Sequence, residues 1–190
     1  MSETQEIKVA QFSGYVSEHS GYHHGEASLQ GTIIGMAHDY MGSNNINLLE
    51  PCGQFGTRLM GGKDAASPRY IFTKMSSQAT HLFDARDNST LNYLEDDGKP
   101  IEPEYYIPVL PMVLVNGAEG IGTGFSSYVP PYDPKVVTKN IQHALRGEAM
   151  EPMKPHFKGF TGTTEKTGEH TWTLTGTFER QGSRIHVTEL

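Results

Sequence analysis

A single cysteine, Cys52, in 190 residues leaves no intrachain disulfide framework to build on. No apolar run comes near the roughly 20 residues that cross a bilayer, and the opening MSETQEIKVAQ lacks the charged-then-apolar layout of a secretory leader. These absences point to an intracellular protein with no membrane partner, so the Asn88-Ser89-Thr90 glycosylation pattern meets no enzyme to use it. Positive charge is also scarce. Fifteen Lys and Arg stand against 22 Asp and Glu, for a net charge of -7, which argues against a generic polyanion binder because phosphate contacts need cations. What remains, 36% hydrophobic and 19% charged residues, reads as a globular chain with one principal domain and a smaller appendage.

The few cations are unevenly spread. Between Pro51 and Lys74 the charged residues are Arg58, Lys63, Arg69 and Lys74 against Asp64 alone, whereas Asp84 to Glu104 is acidic apart from Arg86 and Lys99. The positive segment contains a glycine-rich stretch followed by a tyrosine directly after an arginine, GGKDAASPRYIFT from Gly61 to Thr73.

Periodicity predicts a short helix over Lys8–Glu18 and a firmer one over Glu26–Met41, where Leu29, Ile33, Ile34, Ala37 and Met41 share a face. Gly31 and Gly35, four apart on one side of that helix, are either tolerated or mark a close backbone approach. The Gly-, Asn-, Ser- and Pro-rich Gly42–Ala66 is loop with short extended pieces. Tyr70–Thr73 reads as a strand leading into a helix over Lys74–Phe83. Leu91–Ile101 reads as a hairpin turning at Asp97-Gly98, and Tyr105–Val115 as an extended apolar run at an interrupted sheet edge. Asp133-Pro134 starts a helix that Gly147 ends, with Val137, Ile141, Ala144 and Leu145 as its stripe. Beyond it Trp172, Leu174, Phe178, Ile185 and Val187 alternate as strands up to Leu190, a pattern that reads as cut from something longer.

Several familiar sites can be set aside. Counting back from Gly62-Lys63, a phosphate loop would need glycine where Thr57 stands and a hydroxyl where Asp64 stands. Gly120-Ile121-Gly122-Thr123-Gly124 runs into Phe125 where the dinucleotide fingerprint wants glycine. His23-His24 with Glu26 lacks later His or Cys at metal-site spacing, so no metal site is expected; one histidine packs or caps, or an imidazole lies near a phosphate. A tyrosine beside an arginine is ordinarily a packed ring and a solvated cation. Here the context suggests more. A phenol with a pKa near 10 is a weak nucleophile at neutral pH and needs nearby cations to stabilise phenolate and a transferring phosphate. Arg58, Lys63 and Arg69 are of that type.

Tyr22-His23-His24-Gly25-Glu26, Gly42-Ser43-Asn44-Asn45, Gly53-Gln54-Phe55-Gly56-Thr57-Arg58, Gly61-Gly62-Lys63-Asp64 and Ser67-Pro68-Arg69-Tyr70-Ile71-Phe72-Thr73, followed by Tyr106-Ile107-Pro108, Pro111–Leu114 and Asn116–Gly124, closely resemble the breakage-reunion core of eukaryotic-type DNA topoisomerase II (type IIA). The resemblance runs from Lys8 to Leu190 and is densest before Pro131. It favours the eukaryotic branch, because gyrase-like sequences carry an extra residue between the histidines and differ around the tyrosine. It implies a mixed α+β fold, with a winged-helix domain over 1–82 bearing the catalytic tyrosine and the start of an α/β tower domain over 83–190. Catalytic roles then fall to Tyr70, as nucleophile forming a 5′-phosphotyrosine link, to Arg69 and to His24. DNA-binding roles fall to Arg58, Lys63, His23, Asn44, Asn45 and Gln54, and to Ile121, a wedge between base pairs whose unstacking is offset by a bend. The resemblance also implies double-stranded DNA as partner, a homodimer in the complete enzyme, nuclear location in a eukaryote, and Mg2+ and ATP bound by Toprim and ATPase domains absent from this chain. The basic segment that normally precedes the Lys8 region is replaced by MSETQE, and the rest of the tower and the coiled-coil gate are absent, so this chain alone is expected to be inactive. The alternatives are a non-catalytic DNA-binding or assembly module, or one component of a split enzyme. A tyrosine recombinase would need a second, scattered Arg and His set that the residue order does not offer.

Overall fold

The computed structural model describes residues 5–190; residues 1–4, the start of the MSETQE segment, lie outside the described residues. The chain divides into two compact units after Pro111. Helices alternate with small antiparallel sheets in both, so the fold is mixed α+β as expected.

In the first unit, β1 (Ile7–Lys8) leads into α1 (Val9–His19) and α2 (Glu26–Ala37), followed by β2 (Leu49–Cys52), β3 (Phe72–Met75) and α3 (Ser77–Leu82). Val9, Leu29, Ile33, Ala37, Leu49, Phe55 and Ile71 close a single core. The three α2 residues are spaced four apart and so stack on one side of the helix. The strands form an antiparallel sheet in the order β1-β3-β2. Beyond α3 come a 3-10 helix (Ala85–Thr90) and the hairpin β4 (Tyr93–Asp96) and β5 (Lys99–Pro103). Its two turn residues, Asp97 (φ 49°) and Gly98 (φ 75°), both take the positive φ that a two-residue hairpin requires.

Three expectations change here. The α2 helix ends at Ala37, short of Met41, because the Asn44 amide donates to the Gly35 and His38 carbonyls (2.7 and 2.9 Å) and closes the helix end. Of the two readings open for Gly31 and Gly35 the tolerated one holds, since both face open space. The strand predicted over Tyr70–Thr73 is shifted to Phe72–Met75, its register set by pairing Phe72 with Lys8 and Cys52. The following helix starts only after Ser76, whose buried hydroxyl accepts from Ala79 N (3.2 Å) and donates to Asn47 O (2.8 Å). Ser76→Ala removes a helix cap and the hydroxyl that donates to the half-buried Asn47 carbonyl, and thermal unfolding should report a loss of about 1 to 2 kcal/mol.

The second unit contains α4 (Met112–Val115), the hairpin β6 (Ala118–Gly122) and β7 (Phe125–Val129), α5 (Pro134–Leu145), and the hairpins β8 (Thr163–Lys166) with β9 (Trp172–Thr175) and β10 (Thr177–Gln181) with β11 (Arg184–Glu189). The expected extended run over Tyr105–Val115 is overturned. Residues 105–111 lie in no strand and Met112–Val115 is helical, with Val115 fully buried. Asp133 caps α5 as expected, accepting from Lys135 N (2.8 Å). Leu145 does not join its buried face, being 83% exposed; Asn140 is buried instead and exchanges two hydrogen bonds with the Glu151 backbone (2.7 and 2.8 Å). Phe178 pairs with Val187 across the last hairpin, and both remain largely exposed.

Candidate active site around Tyr70

Tyr70 lies in a turn just before β3, its backbone N–H donating to Ser67 O (2.9 Å). The next residue, Ile71, is 2% exposed and belongs to the core, whereas Tyr70 is 67% exposed. The turn is tied down twice more. Val9 N donates to Ile71 O (3.0 Å) and Ala10 N to Pro68 O (3.1 Å), so the orphan amides opening α1 are satisfied by the segment carrying the tyrosine. The Arg69 guanidinium stands 5.0 Å from the centroid of the Tyr70 ring. A cation fixed over a phenol ring is held by the π face and is on hand for negative charge developing at the phenol oxygen.

Residues 53–66 form a loop rooted on buried Phe55 at one end and on Ala66, packed against the core, at the other. Its neck is closed by Ala66 N to Gln54 O (2.9 Å) and by Gly62 N to Thr57 O (3.0 Å). Asp64 is the clasp, accepting from Thr57 N and Thr57 Oγ1 (both 2.8 Å) and from Gln54 Nε2 (3.3 Å). The Thr57 amide in particular holds the Asp64 carboxyl below the usual carboxylate range, against the opposing effect of desolvation. Gly56 (φ 110°) is obligatory: a Cβ there would lie 2.5 Å from Gly62 Cα. Arg58 and Lys63, on either side of the tip, are exposed, as is Arg69. Lys74 does not belong to this positive set, because strand pairing sets it opposite Glu50, 3.3 Å away. Asp64→Asn should raise amide exchange at Thr57 at least about tenfold, since a charged acceptor of two short bonds is lost.

Of the two histidines, His24 packs edge-on against Tyr22, ring centroids 5.8 Å apart, and both His23 and His24 are exposed. Tyr22 and Ile71, neighbours of His24 and Tyr70 in sequence, pack in the same core.

The family profile for the DNA gyrase/topoisomerase IV A-subunit matches residues 1–190. The chain belongs to that family. It is 56% identical over 188 residues to DNA topoisomerase 2 of Pisum sativum and 53% identical over 190 residues to DNA topoisomerase 2-alpha of Homo sapiens, matches that cover 98% and 100% of this chain. It spans only 13% and 12% of those proteins. Its structure superposes on the DNA-binding, cleavage and re-ligation domain of Plasmodium falciparum topoisomerase II with a TM-score of 0.93 at 50% identity, covering 98% of this chain and 26% of that one. The eukaryotic-type resemblance carried by the histidine and tyrosine motifs is therefore borne out.

The remaining residues nominated from the topoisomerase motifs sit as follows. The Asn44 side-chain amide is engaged in closing α2, and Asn45 is buried. Gln54 joins the Asp64 clasp. Ile121 is 88% exposed, opposite Ser126 near the two-residue turn of the β6–β7 hairpin. Sequence reasoning missed that hairpin, although a Thr123-Gly124 turn beside an aromatic-bearing segment is a usable signal. It missed Asp64 as a clasp too, having used that residue only to reject a phosphate loop. Among the described residues no group of three His, Cys, Asp or Glu side chains is gathered to hold a metal ion, and no helix is long and apolar enough to cross a membrane.

Proposed function

We propose that this chain is the tyrosine-bearing segment of a type II DNA topoisomerase. The observation that carries the reading is an exposed Tyr70 on a turn fixed by core and helix contacts, with the Arg69 guanidinium over its ring. In this reading the Tyr70 Oη attacks a DNA phosphorus. The phenol proton is lost, the new O–P bond forms, and the 3′-oxygen departs and takes up a proton, leaving a 5′-phosphotyrosine. The linkage keeps the energy of the broken strand, so the 3′-hydroxyl reverses the step without a high-energy cofactor. Arg69 offsets charge on the transferring phosphate, His24 and Arg58 approach that phosphate or its neighbours, and Lys63, His23, Asn44, Asn45 and Gln54 line the DNA path. Ile121 enters the base stack as a wedge, which fits an apolar side chain held in water at a hairpin end.

The same reading gives residues 1–82 as a winged-helix domain and 83–190 as the start of a tower domain, working in a nuclear homodimer on double-stranded DNA. Mg2+ and ATP are held by other domains of the complete enzyme. Among the described residues no group of carboxylates is gathered to hold Mg2+. The chain alone is therefore inactive in cleavage.

Covalent trapping tests the proposal. The purified chain is mixed with nicked DNA and magnesium, with and without a separately made Toprim fragment, then denatured in detergent. Protein attached to a 5′ end only when Toprim is present supports the reading. A 3′ attachment, or none under any condition, overturns it, and the second of these with duplex still bound leaves a DNA-binding assembly module.

A further inference from the structure

The loop that presents Arg58 and Lys63 rests on two side chains from outside it. A Cβ added to Gly62 (φ 82°) would lie 2.7 Å from His38 Cε1, 2.8 Å from the Tyr40 hydroxyl and 3.1 Å from His38 Nε2. Gly62 is also the residue on which the neck of the loop closes, through its N–H to Thr57 O and its contact with Gly56. His38 follows the end of α2 directly, and its own carbonyl is held by Asn44, so the ring stands on an immobilised support. The Tyr40 hydroxyl is 3.4 Å from His38 Nδ1. His38 Nε2 is buried with no hydrogen-bond partner among the described residues.

We propose that His38, with Tyr40, is a positioning residue for the DNA-contacting loop: its imidazole is the seat of Gly62, and it fixes the backbone from which Arg58 and Lys63 reach phosphate. The inference rests on the reading above that this loop meets DNA. Ionisable groups near the seat are Asp39, on the same segment, and Asp64, whose charge is felt by Tyr40 across the loop. Burial lowers the His38 pKa below its ordinary 6.5, and the Phe55 backbone and Asp39 only partly oppose it; burial also raises that of Tyr40. Because the folded state favours neutral His38, its contribution to loop order is complete above the ordinary histidine pKa. It is lost as pH falls from there through the lowered value.

The test compares wild type, His38→Ala, His38→Gln and Tyr40→Phe in this chain by two measurements: hydrogen exchange of the loop amides without DNA, and anisotropy of a fluorescein-labelled duplex over a salt series. For His38→Ala, loop exchange should accelerate at least about tenfold. Duplex affinity should fall about tenfold near 0.1 M salt, with the salt slope shallower by about 1 to 2 as phosphate contacts are lost. His38→Gln should recover most of the affinity at neutral pH and abolish the decline in loop protection that wild type shows below about pH 6.5. Tyr40→Phe should give a smaller acceleration than His38→Ala. Unchanged protection and salt slope in His38→Ala would overturn the proposal. Should that variant fail to fold, a His38→Gln pH profile that declines like wild type overturns it instead. Failure of wild type to bind duplex would remove the DNA reading, while the exchange data, taken without DNA, still decide whether His38 seats the loop.

Discussion

Tyr70→Phe should lower formation of the 5′-linked protein–DNA adduct by at least about 10⁴-fold in the presence of a Toprim fragment and magnesium, because on the proposed reading it deletes the oxygen that forms the bond. Little else should change. The turn is held through the Tyr70 backbone N–H and the Pro68 and Ile71 carbonyls, and none of these depends on the phenol oxygen. The ring persists in phenylalanine, so Arg69 keeps its place above it. An exposed substitution of this kind should move the Tm by less than about 2 °C and leave duplex affinity within about twofold of wild type. Adduct counting on a denaturing gel, beside anisotropy of labelled duplex, checks both halves. Equal adduct in Tyr70→Phe would transfer the nucleophile to another residue and remove the central claim.

Gly56→Ala should cost about 3 kcal/mol, combining the strain of a side chain at φ 110° with a collision that cannot be relieved by rotating a rotamer. The atoms it would meet are Gly62 Cα at 2.5 Å and Gly62 O at 2.7 Å, both backbone. Gly61→Ala is the informative contrast. Its φ of 57° carries the same kind of strain, but a Cβ there meets nothing within 4 Å, so the cost should be about 1 kcal/mol. Calorimetry of the two variants should place the Gly56→Ala midpoint below that of Gly61→Ala by about 4 to 8 °C. Duplex affinity should fall only in Gly56→Ala, since the neck of the loop, rather than its tip, sets where Arg58 and Lys63 stand.

The parts of this molecule that were legible in sequence are those decided by neighbours along the chain. Asp133-Pro134 and Gly147 bracket α5, and Asp97-Gly98 marks a hairpin turn, because capping and positive φ are local requirements. Met112–Val115 was misread as extended since branched apolar residues after prolines suit a strand, whereas Pro111 here precedes a helical turn. Lys74 looked like one more cation of the loop until pairing with β2 brought Glu50 to it. The site divides in the same way. Tyr70 and its cations are written in consecutive motifs, but the Asp64 clasp is a bond across an irregular loop and the His38 seat a contact between distant segments, and periodicity carries no signal for either.

The two bonds from the start of α1 to the tyrosine turn have a mechanical meaning. On the proposed covalent reading, Tyr70 holds one end of a severed strand and must carry tension whenever the strand ends are drawn apart. Any tug on Tyr70 passes within one residue to Ile71, locked in the core, and through the Pro68 and Ile71 carbonyls into the axis of α1. The load is thus shared between a wedge of packed side chains and a helix gripped at its end, in the manner of a bolt set through two plates. A tyrosine at the middle of a long free loop would stretch before it held.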